Sequence, residues 1–425
     1  MKKIVIIISA LLLVTLGYIM LVNAVEKNVQ QNIQKKITNL TNHGFDIEKI
    51  QKEKNKNSYI LTFKDMRKIT PFIQSLYANL PSNFIDSLQD MQVALDIQNN
   101  HGLFDDIKIE VYPIKLPTEI RNSLKKEELA SIKKHLQEKT FMLHLSIDKS
   151  LSNFKGHTKD IEIKELKNEL TIIGDSFSGE IKNEKIVSYK EDIKEFVLKI
   201  KEKNILEFTD IHTEKSIKGK TEFEKFYALK AKRFFLNIGD DNVTINDLDT
   251  RFSWNPEDKI VNASIKSSIG SLSLIGKEQH KLFEGIALDM DIKNINKEFI
   301  SKVDTGKIKS TKEAQELLIA KNPLILINTF AVEKTKQNKM QTKGLHIEAK
   351  ISTEKTTKDH SAQDIYSLLK VNGKLTLSKS LLELLSQNPS LEILFMLAPQ
   401  RLENDNYLYD IQYDETLIVN DERIL

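Results

Sequence analysis

From Phe45 onward apolar and polar residues alternate with period two. Phe141, Leu143, Leu145 and Ile147 are interleaved with Met142, His144, Ser146 and Asp148. The same pattern recurs in Ile286, Leu288, Met290 and Ile292, in Leu345, Ile347, Ala349 and Ile351, and in Phe196, Leu198 and Ile200. Each segment can bury one face and wet the other, which antiparallel sheets permit and doubly covered parallel sheets do not. Turns are expected at Asn99-Asn100-His101-Gly102, Gly239-Asp240-Asp241-Asn242 and Asn255-Pro256-Glu257-Asp258.

Helical periodicity interrupts the strands. It predicts helices over Ile69–Asp90, broken at Pro81, and over Pro117–Glu138. A third begins at Ser310, which has capping-box spacing to Glu313, and stops before Pro323. A fourth starts near Ser361, and a fifth covers Lys379–Leu397, interrupted at Pro389. The stretch Leu391–Ala398 is apolar all round but too short to span a bilayer; it reads as a buried helix, with a membrane-surface or partner-binding segment as the alternative. The fold class is α+β, predominantly antiparallel β-sheet with interspersed helices. No Gly/Pro/Ser linker divides the chain, so a division is placed at the least regular join, Lys215–Thr221.

One N-terminal transmembrane helix precedes this body. Ile4–Val22 carries no charged residue, and nineteen residues at the helical rise span about 28 Å, close to bilayer hydrocarbon thickness. Ile4, Ile8, Leu12, Leu16, Tyr18 and Val22 mark this anchor, with Tyr18 placed for an interface. The rival reading is a cleaved signal peptide, since Val22-Asn23-Ala24 follows a small-x-small pattern. Either reading exports the rest. A membrane-proximal helix follows over residues 24–44, where Val25, Val29, Ile33, Ile37 and Leu40 form one narrow stripe before His43-Gly44. Two α+β regions, 45–218 and 219–425, complete the organisation.

Composition narrows the chemistry. The 425 residues contain no cysteine, which excludes disulfide scaffolds, thiolate metal sites and thiol catalysis. A net charge of +3, with acids interleaved among the lysines, offers no field for nucleic acid. No two of the nine histidines have local metal-ligand spacing, and no HExxH occurs. Gly174-Asp175-Ser176-Phe177-Ser178-Gly179 misses the nucleophile-elbow spacing and reads as a hairpin turn. No catalytic residue, metal site or cofactor is therefore expected. Phe234, with Phe252 and Trp254 on one strand face, are candidates to line an apolar ligand face, although period-two aromatics also fill sheet cores.

Three C-terminal segments carry a resemblance. Leu282–Val303 runs from an alternating strand into a short helix. Leu317–Lys350 joins a helix, Asn322-Pro323 and an amphipathic strand with Gly344-Leu345-His346-Ile347. Asn406–Ile424 pairs a tyrosine-rich strand with a closing strand. With the N-terminal anchor, these segments resemble the YdgA-like family of bacterial envelope proteins, a domain of unknown function. That family's last strand carries Asn-Gly where this chain has Asn420-Asp421. The resemblance implies an inner-membrane anchor, a periplasmic body and a Gram-negative source, and transfers no active-site residue. The expected function is a non-enzymatic binding or organising component of the cell envelope, partnered by the inner membrane and another envelope protein. The alternative is a lipid-binding or lipid-transfer protein that uses the apolar face of an amphipathic sheet, and an enzyme with a dispersed site is the third reading.

Overall fold

The structure is a computed structural model. It describes residues 37–424 apart from 53–55, 77–80, 100–105, 166, 183–184, 218–223, 278–279, 305–306, 338–339, 354–367 and 386–398. Strand makes up 64% of it, in antiparallel ladders with a few helices, as the alternation requires. Among the described residues no helix is long and apolar enough to cross a membrane. The expected anchor, the helix near Ser361 and the segment Leu391–Ala398 lie outside the described residues. The chain forms two compact units, residues 1–196 and 197–425. Of the expected join, 215–217 belong to a strand and 218–221 lie outside the described residues.

The first unit begins with a helical stretch at 37–42, which ends as the His43 and Gly44 N–H groups bond back to Asn39 and Thr41. Gly44 takes φ +96°, a conformation open to glycine. Strands β1 (Phe45–Lys52), β2 (Lys56–Phe63), β3 (Gln92–Asn99), β4 (Ile107–Lys115), β5 (Leu143–Ile147) and β6 (Asn153–Thr158) pair in sequence. β6 then pairs with β9 (Ser176–Lys182), and β9 with β10 (Lys185–Ile200). The hairpin β7 (Ile161–Glu165) and β8 (Asn168–Ile173) is inserted between β6 and β9. Helices α1 (Met66–Leu76) and α2 (Ser82–Asp86) cover the apolar face, where Ile69, Ile73 and Ile85 are fully buried beside Leu143, Leu145 and Ile147. Pro81, where the break was expected, is the N-cap of α2, and residues 77–80 before it lie outside the described residues. The Pro117–Glu138 helix is instead two, α3 (Thr118–Ser123) and α4 (Lys126–Gln137). Leu124 and Lys125 are extended between them, and the Lys125 N–H bonds to Glu128, which caps the second helix.

Two aromatic–glycine exchanges lock β6 to β9. The Phe177 ring lies over Gly156 and the Phe154 ring over Gly179, so a Cβ at either glycine would fall within 2.6 Å of ring carbon. Gly174 and Asp175 join β8 to β9 without a regular turn, and Ser176 and Ser178 belong to β9.

The second unit is a meander: β11 (Lys203–Ile217), β12 (Lys225–Ile238), β13 (Asp241–Glu257), β14 (Ile260–Ile275), β15 (His280–Asn296), β16 (Leu324–Gln337), β17 (Met340–Thr353) and β18 (Leu369–Ser378). β18 pairs with β20 (Asn406–Asp414), whose other edge holds β19 (Arg401–Glu403) and β21 (Thr416–Val419); β22 (Glu422–Arg423) closes the chain. Helices α5 (Lys297–Asp304) and α6 (Thr311–Ile319) link β15 to β16, and α7 (Lys379–Leu385) follows β18. Ser310 caps α6 by accepting from the Glu313 N–H at 3.1 Å, and Glu313 reaches back to the Lys309 N–H. Gly239-Asp240 forms the expected turn. The turn expected over Asn255–Asp258 is tighter, at Asp258-Lys259, because Asn255 and Pro256 pair with Asn262 and Val261 and Asp258 supplies the positive φ.

Candidate functional site

Cross-strand rows in the second unit place apolar residues side by side over most of its width. One row runs Ala231, Leu248, Ile269, Ile286, Val332, Leu345, Leu377 and Tyr407. The next runs Leu229, Thr250, Ser267, Leu288, Phe330, Ile347, Leu375 and Tyr409. A third runs Tyr227, Phe252, Ile265, Met290, Ile327, Ala349, Gly373 and Ile411. Beyond the first row, Phe208, Phe234, Ile245, Leu272 and Phe283 form another.

The first and last of these rows share a face only because alternation slips by one residue in the strands from β12 to β17. In β13 the apolar positions are 243 and 245, then 248, 252 and 254, with Thr250 in step; in β14 they are 261, 263, 265 and 269, with Ser267 in step, then 272 and 274. A uniform strand would turn the second set away from the first. The slip falls on one line of the sheet, where Lys232, Asp247, Gly270, Gly285, Glu333 and Gly344 meet across six strands. Asp247 and Gly285 have φ of +53° and +61°, and the adjacent Asp210 on β11 has +49°. Lys232 pairs with Asp247, and the Glu333 side chain lies against Gly285.

The opposite face is ionic. Lys230 meets Asp249 at 3.1 Å, Lys266 meets Asp289 at 3.0 Å and Arg233 meets Glu207 at 3.1 Å. The Lys266 ammonium and the Asn328 amide hold the Asp289 carboxyl below the usual carboxylate range.

The apolar face is covered in part. Phe299 and Ile300 of α5 pack with Val261, Ala263, Ile295, Phe252 and Trp254, closing one end. Leu381 and Leu382 of α7 bury Leu377, Tyr409 and Val419. Elsewhere the rows stay half-exposed: Leu229 is 39% and Leu274 36% accessible, whereas Leu143 and Leu145 on the helix-covered sheet of the first unit are 1% and 2%.

Phe252 and Trp254 therefore meet, ring centroids 5.3 Å apart, within a packed end. The buried Trp254 indole N–H has no hydrogen-bond partner among the described residues. Phe234 lies across the slip line, its ring tilted 40° to that of Phe208 with centroids 5.1 Å apart, and Phe235 takes the other face. The anchor residues Ile4, Ile8, Leu12, Leu16, Tyr18 and Val22 are outside the described residues. The open centre, Leu229, Leu248, Leu288 and Phe330, was not singled out by sequence; its signal was the alternation itself, without the strand pairing that assembles it.

No protein-family model matches this chain, and neither a curated protein nor a solved structure matches it.

Proposed function

We propose that this is a membrane-anchored, non-enzymatic component of a bacterial envelope, of the YdgA-like kind, whose second unit holds lipid acyl chains against its apolar sheet face. The half-exposed rows around Leu229 and Leu288 carry this reading. Large contiguous apolar surface left in water is costly in a free protein and marks a ligand or partner face. Strands of 14–17 residues give the face a length of about 50 Å, an elongated strip suited to chains. Each methylene moved from water onto it contributes about 0.8 kcal/mol. Lipid leaving a bilayer gains little from that term, so the face shields chains in transit and does not extract them unaided. The uncharged run Ile4–Val22 supports a bilayer as the source.

The test uses the full chain reconstituted in vesicles that contain phospholipid with a photoreactive acyl tail. Irradiation and peptide mapping are expected to place adducts on strands β12–β16, on the rows of Leu229, Leu248 and Phe330. Adducts confined to residues 1–36, or cross-links joining this face to the same face of a second copy, would overturn the acyl-chain reading.

A further inference from the structure

A second arrangement lies on the polar face of the first unit and owes nothing to the acyl-chain reading. There the sheet borders a cleft of about 850 Å³. Strand register sets Asp96, Glu110, His144, His157, Ser176 and Asp192 in one row across β3, β4, β5, β6, β9 and β10. Asp96 is satisfied by the Tyr112 hydroxyl at 3.2 Å and by Lys56 at 3.4 Å. The centre of the row differs. The His144 and His157 rings stack with centroids 4.7 Å apart and planes 21° from parallel, and the Glu110 carboxylate stands 3.5 Å from His144 Nδ1.

We propose that His144 and His157 form a two-imidazole chelate for a zinc-class divalent ion, with Glu110 as the positioning carboxylate. Imidazole nitrogen suits zinc, nickel and copper, and a ligating histidine commonly gives its other ring N–H to a carboxylate. Glu110 occupies the Nδ1 side of His144, which leaves Nε2 as the ligating nitrogen, and both His144 and His157 line the cleft. His157 comes from the neighbouring strand of a tight hairpin, so both donors rest on paired backbone. Two nitrogens at tetrahedral zinc stand about 3.3 Å apart, so the stacked rings close at their nitrogen edges when the ion enters. Among the described residues no three donors are gathered to hold a metal, so water fills the remaining positions and the site is reversible and open to the cleft. The sequence conceals it: 144 and 157 share no local ligand spacing, and only the β5–β6 register makes them neighbours.

The experiment is calorimetric titration of zinc into the full chain in detergent, after the protein has been stripped with chelator. One zinc per chain is expected. His144→Gln and His157→Gln should each weaken binding at least 10-fold, and Glu110→Gln about 10-fold. His346→Gln, which removes a histidine paired with Glu348 in the other unit, should leave binding unchanged. His157 is exposed, so its replacement tests the site without disturbing the core. As a second readout, copper(II) bound to the same chain should show hyperfine coupling to two imidazole nitrogens, reduced to one in His157→Gln. No zinc binding, parental affinity retained in His144→Gln or His157→Gln, or loss on His346→Gln would overturn the proposal.

Discussion

Asn420 and Asp421 both take positive φ, +49° and +67°, in the two-residue turn between β21 and β22. This is the backbone of a type I′ hairpin, formed here with aspartate at the second position, where glycine is the common choice. Asn420 also ties three segments together. Its Oδ1 accepts from the Asp410 N–H at 2.7 Å, and its Nδ2 donates to the carbonyls of Pro399 and Leu408 at 2.6 and 3.0 Å. Asn420→Ala should cost about 3 kcal/mol in denaturant unfolding, since it loses those bonds and strains the left-handed backbone. Asp421→Gly should gain about 0.5 kcal/mol, because relief of the left-handed strain is partly offset by glycine's unfolded-state entropy. A second residue gives a pH signature. Burial raises the Asp175 carboxyl above its ordinary value, against the Thr158 hydroxyl bond and the nearby His157, and its Oδ1 has no partner among the described residues. A carboxyl whose folded pKa is raised destabilises the fold once it ionises, and the penalty disappears as pH falls towards its unfolded value. Asp175→Asn should therefore be more stable than the parent near neutrality. The two unfolding curves should converge on acidification, and a gap that does not vary with pH would refute the assignment.

At the scale of elements, the slip line is the feature that makes one face out of two registers. Gly344 shows how tightly it is built, since a Cβ there would stand 1.4 Å from the Val332 carbonyl oxygen. Backbone cannot yield as a flexible side chain can, so Gly344→Ala should lose about 3 kcal/mol in the same assay. Gly239→Ala, where no atom lies within 4 Å of the added Cβ, should lose less, through its positive φ alone. The contrast explains what could be read from sequence. Period two announced the strands, and Ser310 with Glu313 announced a helix start, because both signals are local. The slip from 245 to 248 in β13, or from 269 to 272 in β14, leaves two outcomes open. The face inverts, or an irregular residue preserves it, and only pairing decides which. The available clue was the residue type on alternate strands of the line: Asp210 on β11, Asp247 on β13 and Gly285 on β15 all accept a left-handed backbone more readily than β-branched residues do. The His144–His157 pair was hidden for the same reason, since thirteen residues of separation mean nothing until a hairpin register is fixed.

For the molecule as a whole, the two units treat the same alternation differently, and that difference is where function should be sought. In the first unit, helices drive the apolar face of the sheet to near-complete burial; in the second, helices reach only its margins among the described residues. An uncovered face that served stability alone would be expected to shrink or to gain polar residues, because exposed apolar rows invite association. Leu229 separates the two roles. It is 39% accessible and opposite Thr250, so Leu229→Lys removes little packing and should change unfolding free energy by less than about 0.5 kcal/mol. The same change sets a charge in the middle of the strip, where an acyl chain would have to desolvate it or swing away. Photolabelling of β12–β14 by the reactive lipid should therefore fall several-fold while the fold persists. Leu143→Lys, in the covered sheet, should do the reverse, unfolding the first unit through a buried charge while labelling of the second unit persists. Equal labelling in Leu229→Lys and the parent would leave that face with no lipid to hold.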